Sequence, residues 1–398
     1  MSKTRLEVCL KDVLQPKGYI RGPFGSALKR SELLDEGIPV YEQQHAIYNS
    51  REFRFFIDEN KYEEMKRFAV QTDDIIISCS GTVGKVSIIG EEEPKGIISQ
   101  ALLLLRVNRE IINPHYLSYF FKSREGYNAI VSRSSGSVQV NISKREVIEQ
   151  IPLNLPSLEE QNQIVAILYG IDEKIALNKQ INDNLYAQAK AIFTDRFINH
   201  PAIPDGWKKG NLLDIANYLN GLAMQKFRPR EGETGLPVLK IKELRQGSCD
   251  NSSELCSPNI KSEYIIHDGD VIFSWSGSLL IDIWCGGTCG LNQHLFKVTS
   301  EKYDKWFYYL WTAHHLERFI AIAADKATTM GHIKREELAK AEVLIPSEED
   351  YKEISSIIEP IFKLMILNRI ETRKMAGLRD TLLPRLMSGE IDVSDIQL

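Results

Sequence analysis

The chain has 398 residues, of which 43% are hydrophobic and 26% are charged, and its formal net charge is −5. This length predicts two or three domains, and the composition is that of a globular protein rather than a disordered one. The charge excludes a uniformly basic nucleic-acid binder, although local basic patches would still permit DNA binding.

The apolar pattern predicts neither a signal peptide nor a membrane span. The strongest apolar run, Ala101–Leu105, is far too short to cross a bilayer. We therefore expect a cytoplasmic protein with no membrane partner, whose six cysteines are reduced.

The chain repeats itself with an offset of about 190 residues. Asp74–Gly81 is echoed by Asp270–Gly277, and Leu177–Ile181 by Leu367–Glu371. Each half has a β-rich segment with glycine turns, followed by a long helical segment. We predict an α+β fold: two mixed α/β target-recognition domains joined by two long antiparallel coiled-coil-like helices with pseudo-two-fold internal symmetry. The expected segments are a first recognition domain at 1–155, a first spacer helix at 156–200, a second recognition domain at 201–345, and a second spacer helix with the C-terminal tail at 346–398.

Both helical segments carry the same start signal and the same apolar seam. Ser157 and Ser347 each follow a proline and precede acidic residues, which is typical of a helix N-cap. Apolar residues then recur in alternating steps of four and three, the a/d pattern of a coiled coil. The first seam comprises Ile164, Leu168, Ile171, Ile175, Asn178, Asn182, Leu185, Ala189 and Ile192, and the second Ile354, Ile358, Ile361, Met365, Asn368, Thr372, Met375, Arg379 and Leu382.

Asn178 and Asn368 interrupt the middle of the two seams. We expect them to approach one another and to fix the register of the helices at some cost in stability. The alternative is an ordinary helical hairpin that tolerates two asparagines. A helix of about 42 residues is about 63 Å long. This length is enough to hold two DNA-reading domains on successive major-groove faces, which lie about 34–36 Å apart. This geometry predicts a gap of about 5–8 base pairs between the half-sites.

Catalytic motifs are missing from the sequence. Adenine methylation needs an Asn/Asp-Pro-Pro-aromatic run, and the chain has no Pro-Pro pair. Ser80–Lys85 fails the spacing of a phosphate-binding loop. The cysteines and histidines lack the spacing of a metal site or a catalytic triad. We therefore predict no catalytic residue and no bound metal.

The runs Thr381–Ile391 and Ile151–Gln161 carry a family resemblance. They are similar, respectively, to the end of the second conserved helix and to the start of the first in the specificity subunits of Type I restriction-modification enzymes. The second copy of that start, Val343–Asp350, is degenerate and lacks the matching glutamine. Weaker similarities within the β-rich segments lie at Ser80–Lys85, Gln100, Ser135–Ile142, Ser276–Ser278, Gln293 and Ala327–Ile333.

This resemblance implies a non-catalytic subunit that reads a split, asymmetric sequence in double-stranded DNA, one half with each recognition domain. It implies two modification subunits that dock on the helices and methylate adenine using S-adenosylmethionine. It also implies restriction subunits, with which the full complex translocates and cleaves DNA using ATP and Mg²⁺.

Candidate DNA contacts combine basic groups for phosphates with amide or guanidinium groups for base edges. Any one of them can equally be a solvated surface side chain. Gln100 and Gln293, inside apolar strand patterns, are better interpreted as structural hydrogen-bonding residues. The candidates are Arg21, Lys29, Gln43, Gln44, His45, Lys85, Arg133, Ser135 and Gln139 in the first domain, and Lys226, Arg228, Lys240, Lys242, Arg245, Ser278, Thr328, Thr329 and His332 in the second.

Two other functions stay open at the level of sequence. A non-catalytic protein-binding scaffold with two β-rich recognition domains is favoured by the net charge of −5. A self-sufficient methyltransferase or nuclease is disfavoured by the missing motifs. Enrichment of a split motif from random duplexes would exclude the protein-binding scaffold. Methyl transfer by the isolated chain would support the self-sufficient enzyme.

Overall fold

Contacts divide the chain into two compact units, Met1–Asp172 with Leu378–Leu398, and Glu173–Gly377. Each unit contains one β-rich head and a part of both long helices. The structure, a computed structural model, describes residues 5–24, 27–133, 141–199, 202–325 and 332–393.

The first head alternates short strands with short helices. Its strands are β1 (Leu6–Cys9), β2 (Leu14–Arg21), β3 (Ile38–Tyr41), β4 (Phe56–Ile57), β5 (Ile75–Ser78), β6 (Val86–Ile88), β7 (Ile97–Ile98), β8 (Leu102–Val107) and β9 (Pro152–Leu155). Its helices are α1 (Gln43–Tyr48), α2 (Glu59–Glu64), α3 (Pro114–Lys122), α4 (Arg124–Val131) and α5 (Arg145–Ile148), and the long helix α6 (Leu158–Phe193) follows.

Two sheets form the core of this head. One is antiparallel in the order β2-β8-β5-β6, and the other has the order β4-β3-β7 with β3 and β7 parallel. Strand β5 is buried on both faces, which is why it is a continuous apolar run. Ile75 and Ile77 face one apolar cluster, whereas Ile76 faces another. The pair β1–β9 closes the head where α6 begins.

The second head repeats this plan. Its strands are β10 (Lys208–Asn211), β11 (Asn217–Asn220), β12 (Leu236–Leu239), β13 (Leu255–Cys256), β14 (Ile265–Ile266), β15 (Val271–Ser274), β16 (Leu280–Ile283), β17 (Cys289–Leu291), β18 (Leu295–Thr299) and β19 (Glu342–Ile345). Its helices are α7 (Leu212–Ile215), α8 (Ile241–Gln246), α9 (Lys305–His314), α10 (Leu316–Asp325) and α11 (Arg335–Ala339), followed by α12 (Glu348–Ser388).

The sheets of the second head have the orders β11-β18-β15-β16 and β13-β12-β17-β14, with β12 and β17 parallel. The pair β10–β19 closes the head as β1–β9 closes the first. The repeat predicted from sequence is therefore confirmed at the level of strand order, and so is the α+β fold class.

The long helices begin where their serines predict. The Ser157 hydroxyl accepts the backbone N–H of Glu160 at 3.2 Å, and the Ser347 hydroxyl accepts that of Asp350 at 3.1 Å. Helix α6 continues through a π-helical segment, Thr194–Ile198. Every residue of the two predicted seams is buried or half-buried. Within the described ranges, none of the helices has the length and apolar content needed to cross a membrane.

Within the second unit the two helices run antiparallel. Asn182 contacts Asn368, and Arg196 contacts Glu353, so residue numbers fall along one helix as they rise along the other. The buried Asn178 donates to Glu371 at 2.7 Å, and Asn368 donates to Asn182 at 3.0 Å. The two predicted register asparagines thus hydrogen-bond to different residues rather than to each other.

A hydrogen bond at the start of each long helix ties it to its head. The buried Gln161 accepts the backbone N–H of Asn113, the N-cap of α3, at 2.9 Å. In the second copy, the Tyr351 hydroxyl accepts the backbone N–H of Asp304, the N-cap of α9, at 2.7 Å. Tyrosine therefore takes the place of the glutamine missing from the second copy.

Candidate nucleic-acid interface

A polar hairpin tip projects from the four-stranded sheet of the first head. This segment, residues 79–85, connects β5 to β6 and is called tip 1. Gly81 and Gly84 adopt positive φ values of 67° and 83°, which a tight reversal requires. Among the described residues, a Cβ at Gly81 would meet nothing within 4 Å, and Gly81, Thr82 and Lys85 are exposed. The tip therefore exposes these three residues at the surface of the described structure.

Side chains from two other segments brace tip 1. The Gln43 amide accepts the backbone N–H of Ser80 at 3.1 Å and donates to its carbonyl at 2.6 Å. The Ser80 hydroxyl donates to Asn141 at 2.8 Å. The backbone N–H of Ile142 donates to the carbonyl of Cys79 at 2.9 Å. These bonds fix the base of the tip and leave its apex exposed.

The second head carries the equivalent hairpin, residues 275–279, called tip 2, between β15 and β16. Gly277 again has a positive φ, 65°, and Gly277 and Ser278 are exposed. The Ser276 hydroxyl and His294 Nδ1 share a hydrogen bond of 2.9 Å. The Trp275 indole N–H donates to Asn220 at 3.0 Å. The backbone N–H of Ile333 donates to the carbonyl of Trp275 at 2.8 Å, as Ile142 does in the first head.

The structure corrects one predicted DNA contact. His45 is fully buried, so its side chain cannot reach DNA in this conformation. Its Nδ1 accepts the backbone N–H of Glu42 at 2.6 Å, its Nε2 bonds to the carbonyl of Glu52 at 3.0 Å, and its ring lies 4.8 Å from that of Phe53. Burial lowers the pKa of His45, which keeps the imidazole neutral in the core.

Four other candidates in the first head are half-buried and serve the main chain or the core. Besides Gln43, Gln44 donates to the carbonyl of Glu52 at 3.2 Å, and Arg133 donates to that of Ala129 at 2.8 Å. Arg21 lies beside the buried Cys79 thiol; burial raises the pKa of Cys79 to about 12, although Arg21 opposes that shift. These contacts favour structural roles for the four side chains.

Basic candidates in the second head are partly neutralised by neighbouring acids. Lys240 and Arg228 share the carboxylate of Glu254, at 2.7 and 3.6 Å. Lys240 holds the pKa of Glu254 below its usual range. Lys242 donates to Ser252 at 2.9 Å and lies 3.7 Å from Asp250. These pairs reduce the positive charge that the three residues can offer to phosphates.

The remaining candidates divide by exposure. Ser135, Gln139, Thr328 and Thr329 lie outside the described residues. The described segments that flank them return to the tips through Ile142 and Ile333. The exposed candidates are Lys29, Lys85, Lys226, Arg228, Lys242, Arg245, Ser278 and His332.

Residues that sequence reasoning missed stand at the base of the tips. Asn141 falls inside the Ser135–Ile142 run, yet its pairing with Ser80 across the fold is not visible in the sequence. His294 and Asn220 support tip 2 from separate strand ends, so no local pattern joins them to it.

Gln100 is exposed, and Gln293 is half-buried with its backbone N–H donating to Leu222 at 2.8 Å. All six cysteines are free thiols.

Known proteins that resemble this chain include Type I restriction-modification specificity subunits. Residues 7–187 and 204–374 match the family of the Type I restriction modification DNA specificity domain. The Type I restriction enzyme MjaVIII specificity subunit of Methanocaldococcus jannaschii is 24% identical, with 95% of this chain and 91% of that protein covered. The EcoKI specificity subunit of Escherichia coli K12 is 26% identical, with 77% and 71% covered.

The likeness extends to a solved fold. The crystal structure of the Type-I restriction-modification system S subunit from M. genitalium matches with a TM-score of 0.60 at 14% identity. The match covers 97% of this chain and 96% of that one.

Proposed function

Because the chain belongs to the Type I restriction-modification specificity subunits, we propose that it reads a split, asymmetric sequence in double-stranded DNA, one half with each head. The observation that carries this proposal is the pair of tips. Tip 1 and tip 2 share a strand order, a positive-φ glycine and a bracing backbone N–H, but they expose different side chains. Two readers of different bases on one architecture would have this relationship.

The exposed polar groups of the tips suit base edges, and the outlying basic groups suit phosphates. Thr82 and Ser278 each place a hydroxyl at an exposed apex; Lys85 is exposed at the end of tip 1, and the exposed His332 pairs with Ser276 of tip 2. Hydroxyl groups can contact several base edges, and lysine can bind guanine or a phosphate. Exposed basic residues away from the apex position the duplex without reading it. The residues assigned this second role are Lys29, Lys226, Arg228, Lys242 and Arg245.

The paired helices would set the distance between the two half-sites. We assign the boundaries predicted from sequence, 1–155 and 201–345 for the readers and 156–200 and 346–398 for the spacer and tail. Asn178 and Asn368 would hold the register of the spacer through their bonds to Glu371 and Asn182. A gap of about 5–8 base pairs follows if the readers bind successive major-groove faces.

Catalysis would belong to the partners. The chain would scaffold two modification subunits that use S-adenosylmethionine, and restriction subunits that use ATP and Mg²⁺. Its place would be the cytoplasm, together with the DNA that it reads.

Adenine methylation mapped in cells tests this function. The chain is expressed with its modification subunit in a host that lacks adenine methylation, and methylated adenines are located by single-molecule sequencing. One split motif is expected. Thr82→Ala should relax bases in one half only, and Ser278→Ala bases in the other half only, by about 1–3 kcal/mol per base read.

Thr299→Ala, an exposed hydroxyl at the end of β18, is the matched control and should leave the motif unchanged. A single contiguous motif, or the loss of both halves in either tip variant at wild-type protein levels, would contradict one head per half-site.

A protein-binding scaffold is the second candidate, because the net charge of −5 disfavours a polyanionic ligand. On that function, methylation would occur without any motif that depends on this chain. The same sequencing experiment therefore separates the two functions.

A further inference from the structure

A basic cavity opens in the first head, away from tip 1. It has a volume of about 590 Å³, within the range of small-ligand sites. The end of the sheet nearest tip 1 is marked by Arg21 opposite Leu103 and by Ser78 opposite Leu102. The cavity lies near the other end of β8, where Arg106 is one of its lining residues. Its basic lining residues are Lys17, Lys66, Arg67, Arg106 and Arg145, and the others are Gln15, Pro16, Gly18, Tyr19 and Ile20.

One wall of this cavity is a bulge in β2. The pairing of β2 with β8 shifts register between Leu14 and Tyr19, so the intervening residues bow outwards. Gly18 packs so closely on β8 that a Cβ would stand 2.3 Å from the carbonyl oxygen of Arg106. Lys17 adopts a φ of 65°, which glycine or asparagine tolerates better than lysine. Backbone geometry alone would therefore favour glycine at this position.

The cavity keeps excess positive charge. Three of its cations have carboxylate partners, and these pairs are Lys66–Glu63 at 2.8 Å, Arg106–Asp74 at 2.7 Å and Arg145–Glu149 at 2.8 Å. In the described part of the chain, Lys17 and Arg67 have no carboxylate within ion-pair distance. Among the residues that the structure describes, the lining contains no acidic side chain. A concave surface with this imbalance concentrates anions.

The second head does not repeat this wall. Its β11 pairs with β18 in unbroken register from Asn217 to Asn220. An ion pair between Lys297 of β18 and Asp270, the residue before β15, at 2.8 Å, joins the same two strands as Arg106–Asp74 does in the first head, but from a different position on the strand. The bulge lysine is therefore a feature of the first head rather than a requirement of the shared architecture.

We propose that this cavity binds a phosphate group, supplied either by the DNA backbone beside the half-site of tip 1 or by a free polyphosphate. Arginine and lysine are the side chains best suited to phosphate oxygens. Arg106 lies four residues along β8 from Leu102, which places the cavity about 13 Å from the tip end of the sheet. The DNA source rests on the proposed function, and the free source does not.

The test removes the two unpaired charges. Lys17→Gln/Arg67→Gln is compared with Lys11→Gln/Lys208→Gln, which removes two exposed charges outside the cavity. Binding of inorganic tripolyphosphate to the full chain is measured by calorimetry. Binding of the chain and its modification subunit to a random-sequence duplex is measured across salt concentrations.

If DNA supplies the phosphate, the cavity variant weakens binding to all duplexes alike and lowers the salt slope by about 0.9 for each phosphate that it no longer neutralises. If a free anion supplies it, tripolyphosphate affinity falls at least about tenfold and duplex binding is unchanged, because the variant loses charged hydrogen bonds to phosphate. Equal behaviour of the cavity and control variants towards both probes overturns the proposal. Failure of the wild-type complex to bind DNA would refute the proposed function. The tripolyphosphate measurement would still test whether the cavity binds phosphate.

The variant Lys17→Gly tests whether a loss of phosphate affinity comes from misfolding of the chain rather than from loss of the ammonium group. Glycine suits the left-handed backbone, so this variant should melt at or above the wild-type temperature and still lose phosphate affinity. Unchanged affinity towards both probes in a stable Lys17→Gly chain would remove Lys17 from the site.

Discussion

The two heads build the same hairpin tip with different supports. Gln43 braces tip 1 with its amide, whereas His294 braces tip 2 with its imidazole. The backbone bonds from Ile142 and Ile333 are the same in both. Main-chain hydrogen bonds thus set the shape of the tip, while the side chains around it are free to differ.

The cores of the heads differ in the same way. Helices α3 and α9 occupy equivalent places, but α9 buries Trp306 completely, where α3 has His115 with a 30% exposed side chain. The Trp306 indole N–H donates to Ser355 of α12 at 3.0 Å. The second head therefore buries its aromatic packing against the long helix, whereas in the first head the partly exposed His115 ring meets Tyr169 of α6 at a centroid distance of 5.4 Å.

The largest expected effect comes from breaking this packing. Trp306→Ala should destabilise the second unit by about 3–5 kcal/mol, because it leaves a cavity in the core. Hydrogen exchange of the full chain should accelerate in peptides from 205–345. The matched variant His115→Ala should cost no more than about 1 kcal/mol, since that site is partly exposed. Equal losses from the two variants would show that the difference in packing has no energetic weight.

The bonds at the helix starts should give the next largest effect. Gln161→Ala leaves the backbone N–H of Asn113 without its partner and should cost about 1–3 kcal/mol. Tyr351→Phe removes the bond to the Asp304 backbone but keeps the ring, and should cost about 1 kcal/mol. Urea unfolding of each variant measures the cost. No loss in Tyr351→Phe would mean that its hydroxyl does not replace the glutamine.

Much of this arrangement follows from sequence because it is local and periodic. The seams and the N-caps at Ser157 and Ser347 are set by residue spacing, and the duplicated Asp-to-Gly motif places both tips. What could not be predicted depends on distant partners. His45 lies in a polar run, but its burial requires Glu52 and Phe53 from a later loop.

Comparison of matched positions in the two halves did not reveal equivalent roles where the residue types differ. Gln161 and Tyr351 each accept a backbone N–H at the start of a long helix, but they share no functional group, so the sequence does not show that their roles are the same. The bulge at Lys17 depends on the close approach of Gly18 to β8, which only the fold reveals.

Asn178→Leu/Asn368→Leu should raise the free energy of unfolding by about 1 kcal/mol, because an apolar seam replaces polar pairs. The helices should then pair in more than one register, which double electron–electron resonance between spin labels on the exposed positions 188 and 374 would detect. A single, unchanged distance distribution would remove the register role of the two asparagines.

The smallest expected effect is electrostatic. Arg373 pairs with Asp268 at 2.6 Å. Burial raises the pKa of Asp268, but Arg373 and the backbone N–H of Gly287 together outweigh it, and the net pKa is lowered. The stabilising contribution of the pair is therefore fully present above the pKa of an aspartate in the unfolded chain, about 4. It is lost as pH falls through the lower pKa of Asp268 in the folded protein. Asp268→Asn should cost at most about 1 kcal/mol at pH 7, since both groups are partly exposed. The difference between the two free energies of unfolding should shrink as pH falls below about 4; a difference that stays constant as pH falls would contradict the pairing.

Selection from a random duplex library by the purified chain with its modification subunit tests the central claim most directly. We predict that bound duplexes share two short blocks separated by a constant gap of about 5–8 base pairs. Bound duplexes with no common sequence, or with one uninterrupted block, would contradict the assignment of one half-site to each head.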